Sequence, residues 1–150
     1  MICTCGIASK EKCRELFDAT LVKEFSDILY ARVHRLTVDT YSLQHPSYIE
    51  TAKSFAAHLT GMCCTMKYGN DRALMKTLQH WLNGKIQLEK PPLLRKVGSL
   101  TIAHIAEAKD GKEHAKLVEE WANDVWNAYA VYHRLAKDWV EQAKRLSKKR

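Results

Sequence analysis

The sequence predicts an all-α fold, a helical bundle of about five to six helices with a long C-terminal helix. Three observations lead to this prediction. Apolar residues recur at helical spacing along most of the chain, capping residues divide that pattern into segments, and no run alternates like a β-strand. We therefore expect a single helical domain over residues 1–150, with an irregular cysteine-containing start over 1–8 and a basic tail over 145–150.

Cap residues and breaks set the predicted bounds of the helices. Ser9 is an N-cap for the first helix, whose apolar face includes Phe25, and Ser47 with Glu50 has capping-box spacing for the third. Asp110, followed by glycine, separates the last two helices. The predicted helices span about 9–25, 28–44, 47–68, 71–82, 99–108 and 112–147, and the longest irregular stretch spans 83–92.

The central helix carries the densest run of ionisable and amide side chains, H-R-L-T-V-D-T-Y-S-L-Q-H-P, which begins at His34. His34, Val38, Tyr41 and His45 follow helical spacing and lie on one face. Pro46 ends the helix near His45, because the residue before proline is disfavoured in the α region. Histidines in a core stripe need a hydrogen-bonding partner or a bound ligand, so this run predicts the place of a site.

Composition narrows the class of protein. The chain is 46% hydrophobic and 27% charged, as in ordinary soluble globular proteins. It has no apolar run long enough to span a bilayer and no secretory signal pattern, so we expect a cytoplasmic protein without a membrane partner. In that compartment the five cysteines are reduced thiols or metal ligands rather than a disulfide framework.

The net charge of +7 is concentrated at the C-terminal end of the chain. From Arg134 onward, seven basic residues stand against Asp138 and Glu141, a net charge of +5. Such an end can contact nucleic acid or an acidic partner. More often it is a solvated helix terminus whose cations suit the helix dipole.

Histidines form the first predicted metal site. If the second and third helices pack antiparallel about the Pro46 turn, His34 and His58 lie at the same height, and His133 is a possible third ligand from the long helix. Three imidazoles suit a transition metal, and an open fourth position would make the site catalytic. Asp39 is then a base or an outer-shell partner. The alternative is three histidines satisfied by hydroxyl groups of the bundle.

Cysteines form the second predicted metal site. Cys3, Cys5 and Cys13, completed by Asp39 or His45, can hold a zinc ion that pins the N-terminus to the bundle. The alternative is three free thiols near a chain end. Asp39 and His45 are also the candidate catalytic residues, and Asp39 is predicted to be buried and paired, on the side of its helix that faces the first helix.

Two further groups are predicted to be core residues. Cys63 and Cys64 point to different sides of the third helix and cannot easily chelate together, so they are interpreted as core fillers. Trp121, Trp126 and Trp139 follow the apolar face of the last helix and favour packing over a cofactor-binding role. The sequence contains neither a glycine-rich phosphate loop nor a G-x-S-x-G motif.

The central run, with an upstream Cys-Gly and Cys13, resembles a mostly bacterial family filed as domain of unknown function 5946. The resemblance extends over nearly the whole chain, to His58-Leu59, Pro91-Pro92, Glu113-His114, Trp121, Trp126 and His133. It implies a single α-helical domain but no activity. The residues that the family pattern marks in this sequence are Cys5, Cys13, His34, Asp39, Gln44, His45, His58 and His133.

The N-terminus departs from that family's pattern. Family members tend to show C-x-x-C-G, whereas here Ile2 occupies the place of the first cysteine and Cys3 is shifted by one position. This departure counts against a four-ligand zinc site at the N-terminus.

Three functional hypotheses follow. The leading one is a cytosolic metal-binding helical protein, with zinc as the favoured ion and a small-molecule metalloenzyme as its extension. The second is a non-catalytic binding or adaptor module whose basic C-terminal helix contacts an acidic partner or nucleic acid. The third is a thiol-based redox protein that uses Cys3, Cys5 or Cys13.

Overall fold

Eight α-helices and no β-strand are present in residues 1–149, the part of the chain that the computed structural model describes. The all-α prediction is therefore confirmed. The helix number exceeds the predicted five to six because two predicted helices are each divided. The helices are α1 (Lys10–Ser26), α2 (Ile28–Ala31), α3 (His34–Leu43), α4 (Ala52–Tyr68), α5 (Arg72–Asn83), α6 (Ile102–Ala106), α7 (Gly111–Ala128) and α8 (His133–Lys148).

Side-chain caps begin most of these helices. Ser9 caps α1 by accepting a hydrogen bond from the Lys12 amide at 3.0 Å, as predicted. The predicted capping box at Ser47 and Glu50 is wrong. The chain forms a 3₁₀ turn at Pro46–Tyr48, and Thr51 caps α4 instead. The link between α3 and α4 is therefore longer than a turn at the proline alone.

Two helices that the sequence predicts as continuous are broken. The central helix is interrupted between Ala31 and His34, and the long C-terminal helix is interrupted by a 3₁₀ turn at Ala130–Tyr132. Neither break contains proline or glycine, so tertiary packing causes both. At the second break the Tyr129 hydroxyl donates to the Leu43 carbonyl at 2.6 Å. The chain turns there, so that α7 packs on α3 while α8 packs on α4 and α5.

Several of the residues that the sequence assigns to the core are buried. Cys63, Cys64 and the predicted tryptophans are buried, which confirms their interpretation as core residues. The Trp121 indole also donates to the Gln44 side chain at 3.0 Å, and Gln44 in turn donates to two carbonyls of the irregular segment 84–101. Gln44 thereby ties this long segment to the centre of the bundle.

The buried face of α1 differs from the predicted one. Its buried residues are Cys13, Phe17, Thr20 and Glu24, whereas Phe25 is 74% exposed. The buried face of α1 differs from the predicted apolar face because Phe17 stacks on Tyr41 of α3, with ring centroids 3.7 Å apart. The carboxylate of Glu24 therefore faces the protein interior.

The predicted basic tail overlaps the end of α8, as the predicted helix bounds of 112–147 imply. Residues 145–148 continue α8, and Arg150 lies outside the described residues. Within residues 1–149, no helix combines the length and the apolar character needed to cross a membrane.

Candidate metal centre

Three thiols and one imidazole converge where the N-terminal segment meets α1 and the end of α3. The ligand atoms of Cys3, Cys5, Cys13 and His45 all lie within 4.8 Å of one another. The Cys5 and Cys13 sulfurs are 3.7 Å apart, and the Cys13 sulfur lies 3.4 Å from Nε2 of His45. These four residues are called the Cys–His centre below. Such a group could hold a metal ion.

Local backbone structure brings the two N-terminal thiols together. Cys3 and Cys5 lie in a tight turn in which the Gly6 amide donates to the Cys3 carbonyl at 2.9 Å, and the Cys3 amide donates to the Ile7 carbonyl at 2.9 Å. Gly6 has a φ of +103°, which favours glycine because it has no Cβ. Cys13 follows on the buried face of α1.

His45 is held in the orientation of a metal ligand. Its Nδ1–H donates to the Tyr41 carbonyl at 2.6 Å, so Nε2 carries the free electron pair and faces Cys13. A ligating histidine commonly has its other nitrogen fixed in this way. Burial lowers the pKa of His45, and the neutral imidazole is the form that binds a metal. The Tyr41 ring stacks on the imidazole with centroids 3.9 Å apart.

The thiols of the centre have different acidities. Burial raises the pKa of Cys5 to about 12 and also raises that of Cys13. For Cys3, burial acts in the same direction, but hydrogen bonds with Cys5, Cys13 and Thr4 together outweigh it, and the pKa is lowered. A buried thiolate is costly without a nearby cation, and a metal ion supplies that charge.

The centre can be reached from solvent. Cys3 and His45 line a groove of about 350 Å³, which also contains Lys10, Arg14 and Tyr48. Arg14 lies across this groove, because it donates to the Tyr48 hydroxyl at 2.9 Å and pairs with an exposed aspartate of α1. The groove provides an entry path for an ion.

His34, predicted as a ligand of the first metal site, belongs to a different cluster. Its Nδ1 donates to one oxygen of Glu24 at 2.9 Å, while His114 donates to the other oxygen at 2.8 Å. The Thr37 hydroxyl donates to the same carboxylate at 2.6 Å. Glu24 is fully buried, so these three donors offset the cost of removing its charge from water.

Asp39 and His58 form a second buried acid–histidine pair. His58 Nδ1 donates to Asp39 at 2.9 Å, and Arg35 Nε donates to its other oxygen at 3.3 Å. Asp39 is 1% exposed, which confirms that it is buried and paired, but it faces α4 rather than α1 as expected. Burial raises its pKa, although His58 and Arg35 act in the opposite direction. Its role as a catalytic base stays a prediction.

The structure does not bring the three predicted histidine ligands together. His133 stacks on Trp126 and donates to its backbone carbonyl at 2.7 Å. Within residues 1–149, the Cys–His centre is the one group of three or more metal-binding side chains whose ligand atoms lie close enough to share an ion. It contains none of His34, His58 and His133. The helix register explains the difference. The link over 44–51 places His58 beside Asp39 instead of beside His34.

Sequence reasoning missed two residues of the Glu24 cluster. Glu24 and His114 were not predicted as site residues, yet both are buried. A signal for Glu24 is present in the sequence, because it continues the helical stripe of Cys13, Phe17 and Thr20. A carboxylate on a buried stripe requires partners, and this requirement points to histidines elsewhere in the chain.

A model of one protein family, described as a family of unknown function (DUF5946), matches residues 1–130. The chain belongs to this family. The match confirms the resemblance inferred from the central run. It includes the Cys–His centre and both buried carboxylates, and it ends before α8. Comparisons with curated proteins and with solved structures give no match for this family member.

Proposed function

We propose that this protein is a zinc-binding helical protein, in which the Cys–His centre holds the ion and fixes the N-terminal segment to the bundle. The separation of the ligand atoms carries this proposal. A tetrahedral zinc ion with Zn–S bonds of about 2.3 Å and Zn–N bonds of about 2.0–2.1 Å places two sulfurs about 3.8 Å apart and a sulfur and a nitrogen about 3.6 Å apart. The corresponding distances are 3.7 Å and 3.4 Å.

The donor set favours a structural ion over a catalytic one. Three thiolates and one imidazole fill the tetrahedral shell of zinc, whereas catalytic sites keep one position open for water or substrate. In this proposal His45 is a ligand and not a catalytic residue. Three thiolates also give the centre a net charge of −1, and the nearby side chains of Lys10 and Arg14 offset it.

The N-terminal segment supplies little apolar packing of its own. Met1 and Ile2 are 90% and 71% exposed, whereas Cys3 is buried. Two of the four ligands come from this segment, one from α1 and one from the residue after Gln44. An ion bound by all four would join three separate parts of the chain, and its binding free energy would stabilise that arrangement.

The test is the metal content of protein purified without a metal-binding tag. We expect about one zinc ion per chain in the wild type and loss of that ion in the Cys13→Ala variant, since one of four ligands is removed. Cys63→Ala is the matched control, because Cys63 is also a buried thiol but lies in α4, outside the centre. It should keep the ion.

A second measurement does not depend on the variants folding. Adding a strong chelator to the wild type should expose residues 1–9 to proteolysis, and adding zinc back should restore protection. Cobalt in place of zinc should give a thiolate-to-cobalt charge-transfer band. Wild-type protein that neither contains nor takes up zinc or cobalt would refute the proposal, as would equal metal content in the two cysteine variants.

A further inference from the structure

A second candidate site lies away from the Cys–His centre. A cleft of about 500 Å³ opens where α3, α4 and α7 meet, next to the break between α2 and α3. Its volume falls within the range of about 300–1,000 Å³ of small-molecule sites. None of the four residues of the Cys–His centre lines it.

The cleft combines charges of both signs with an apolar wall. Arg32 and Arg35 supply two cations, Glu119 supplies one carboxylate, and Leu36 and Met66 supply apolar surface. A ligand with only negative groups would meet repulsion from Glu119, and a ligand with only positive groups would meet it from the two arginines. This charge pattern favours a molecule that carries both charges.

Arg35 is held in place for such a ligand. Its Nε–H is used by the buried carboxylate of Asp39, and this pairing fixes the plane of the guanidinium group. The side chain is nevertheless 50% exposed. The two terminal nitrogens keep further N–H donors, which is the geometry that binds a carboxylate through two parallel hydrogen bonds.

We propose that this cleft binds a small zwitterion of the amino-acid type. The ligand carboxylate pairs with Arg35 and Arg32, the ammonium group pairs with Glu119, and the apolar side chain lies against Leu36 and Met66. The site is independent of the zinc proposal, because it shares no residue with the Cys–His centre.

The experiment is a titration of isotope-labelled protein with L-leucine, followed by amide NMR shifts. We expect saturable shifts confined to the residues around the cleft, with a Kd of about 10 mM or lower. 4-Methylpentanoate lacks the ammonium group and 3-methylbutylamine lacks the carboxylate. Each analogue should bind at least about tenfold more weakly, since each loses one charge-assisted contact.

Variants assign the two charged contacts. Glu119→Gln and Arg32→Gln should each weaken L-leucine binding by about tenfold. Within residues 1–149, the side chains of Glu119 and Arg32 make no hydrogen bond or ion pair with the rest of the protein, so both variants should fold. Arg35→Gln is a poorer test, because Arg35 pairs with the buried Asp39. Glu15→Gln and Arg134→Gln, at exposed positions outside the cleft, are the matched controls and should bind like the wild type.

Three results would overturn this proposal. They are the absence of saturable shifts at the cleft, equal binding of L-leucine and its two analogues, and unchanged binding in Glu119→Gln and Arg32→Gln. Protein that contains zinc but gives any of these results would leave the proposed function intact, so the two proposals fail separately.

Discussion

Replacing Gly61 with alanine should destabilise the fold, because Gly61 lies directly against the buried carboxylate of Asp39. A Cβ at position 61 would be 2.4 Å from Oδ2 of Asp39 and 3.1 Å from Nη2 of Arg35. Asp39 cannot easily move away, since its other oxygen accepts the hydrogen bond from His58 at 2.9 Å. The methyl group therefore either overlaps the carboxylate or breaks one of its contacts.

The expected loss follows from three contributions. Forcing an extra methyl group into a packed interior costs about 1–3 kcal/mol. Breaking one charge-assisted hydrogen bond of the carboxylate costs about 1.5–3 kcal/mol. Alanine recovers about 1 kcal/mol, because it is a better helix former than glycine. The free energy of unfolding of Gly61→Ala should therefore fall by about 1.5–5 kcal/mol.

Urea unfolding followed by circular dichroism measures this loss. Gly84→Ala is the matched control, because a Cβ there meets its nearest atom, the Trp81 carbonyl oxygen, at an ordinary 3.4 Å. It should change the free energy of unfolding by less than about 0.5 kcal/mol. Gly61→Ala should cost less in an Asp39→Ala background than in the wild type, because the carboxylate that the new methyl group would meet is absent there. Equal stability of Gly61→Ala and Gly84→Ala would show that Asp39 is not fixed against α4.

Three further predictions concern the buried acids and the chain end. Glu24→Gln should lower the free energy of unfolding, measured by urea unfolding, by about 3–5 kcal/mol, because the hydrogen bonds from His34 and His114 lose their charged acceptor. A loss under about 1 kcal/mol would contradict this. Because burial raises the pKa of Asp39 above its ordinary 3.8, the folded state binds the proton more tightly than the unfolded state. The wild type should therefore gain stability relative to Asp39→Asn as the pH falls toward 3.8, and parallel pH profiles of the two thermal midpoints would contradict this. Truncation after Lys144 should lower the thermal midpoint by less than about 5 °C, and a larger drop would show that the end of α8 contributes to the core.

The sequence alone predicted the helical class and several helix starts, because the signals for both are local. Ser9 and Asp110 each accept a hydrogen bond from an amide three residues ahead, and such short-range contacts can be inferred without a tertiary structure. The three cysteines of the centre were also identified from the sequence, since Cys3 and Cys5 are nearly adjacent and α1 begins only a few residues later.

Tertiary structure decided which acidic and basic side chains meet. The sequence left Asp39 and His45 as alternatives to complete the cysteine site. Asp39 instead accepts a hydrogen bond from His58, because the 3₁₀ turn after α3 shifts the register of α4 against α3 by several residues. His34 likewise pairs with Glu24 rather than with His58.

The two helix breaks had no local signal either. The first precedes His34, the residue that contacts Glu24 of α1, and the second allows Tyr129 to reach the Leu43 carbonyl. Each break exchanges a few local backbone hydrogen bonds for contacts between residues far apart in the chain. Periodicity and capping describe only neighbours within about four positions, so such exchanges lie beyond what they can predict. Only the packed structure determines them.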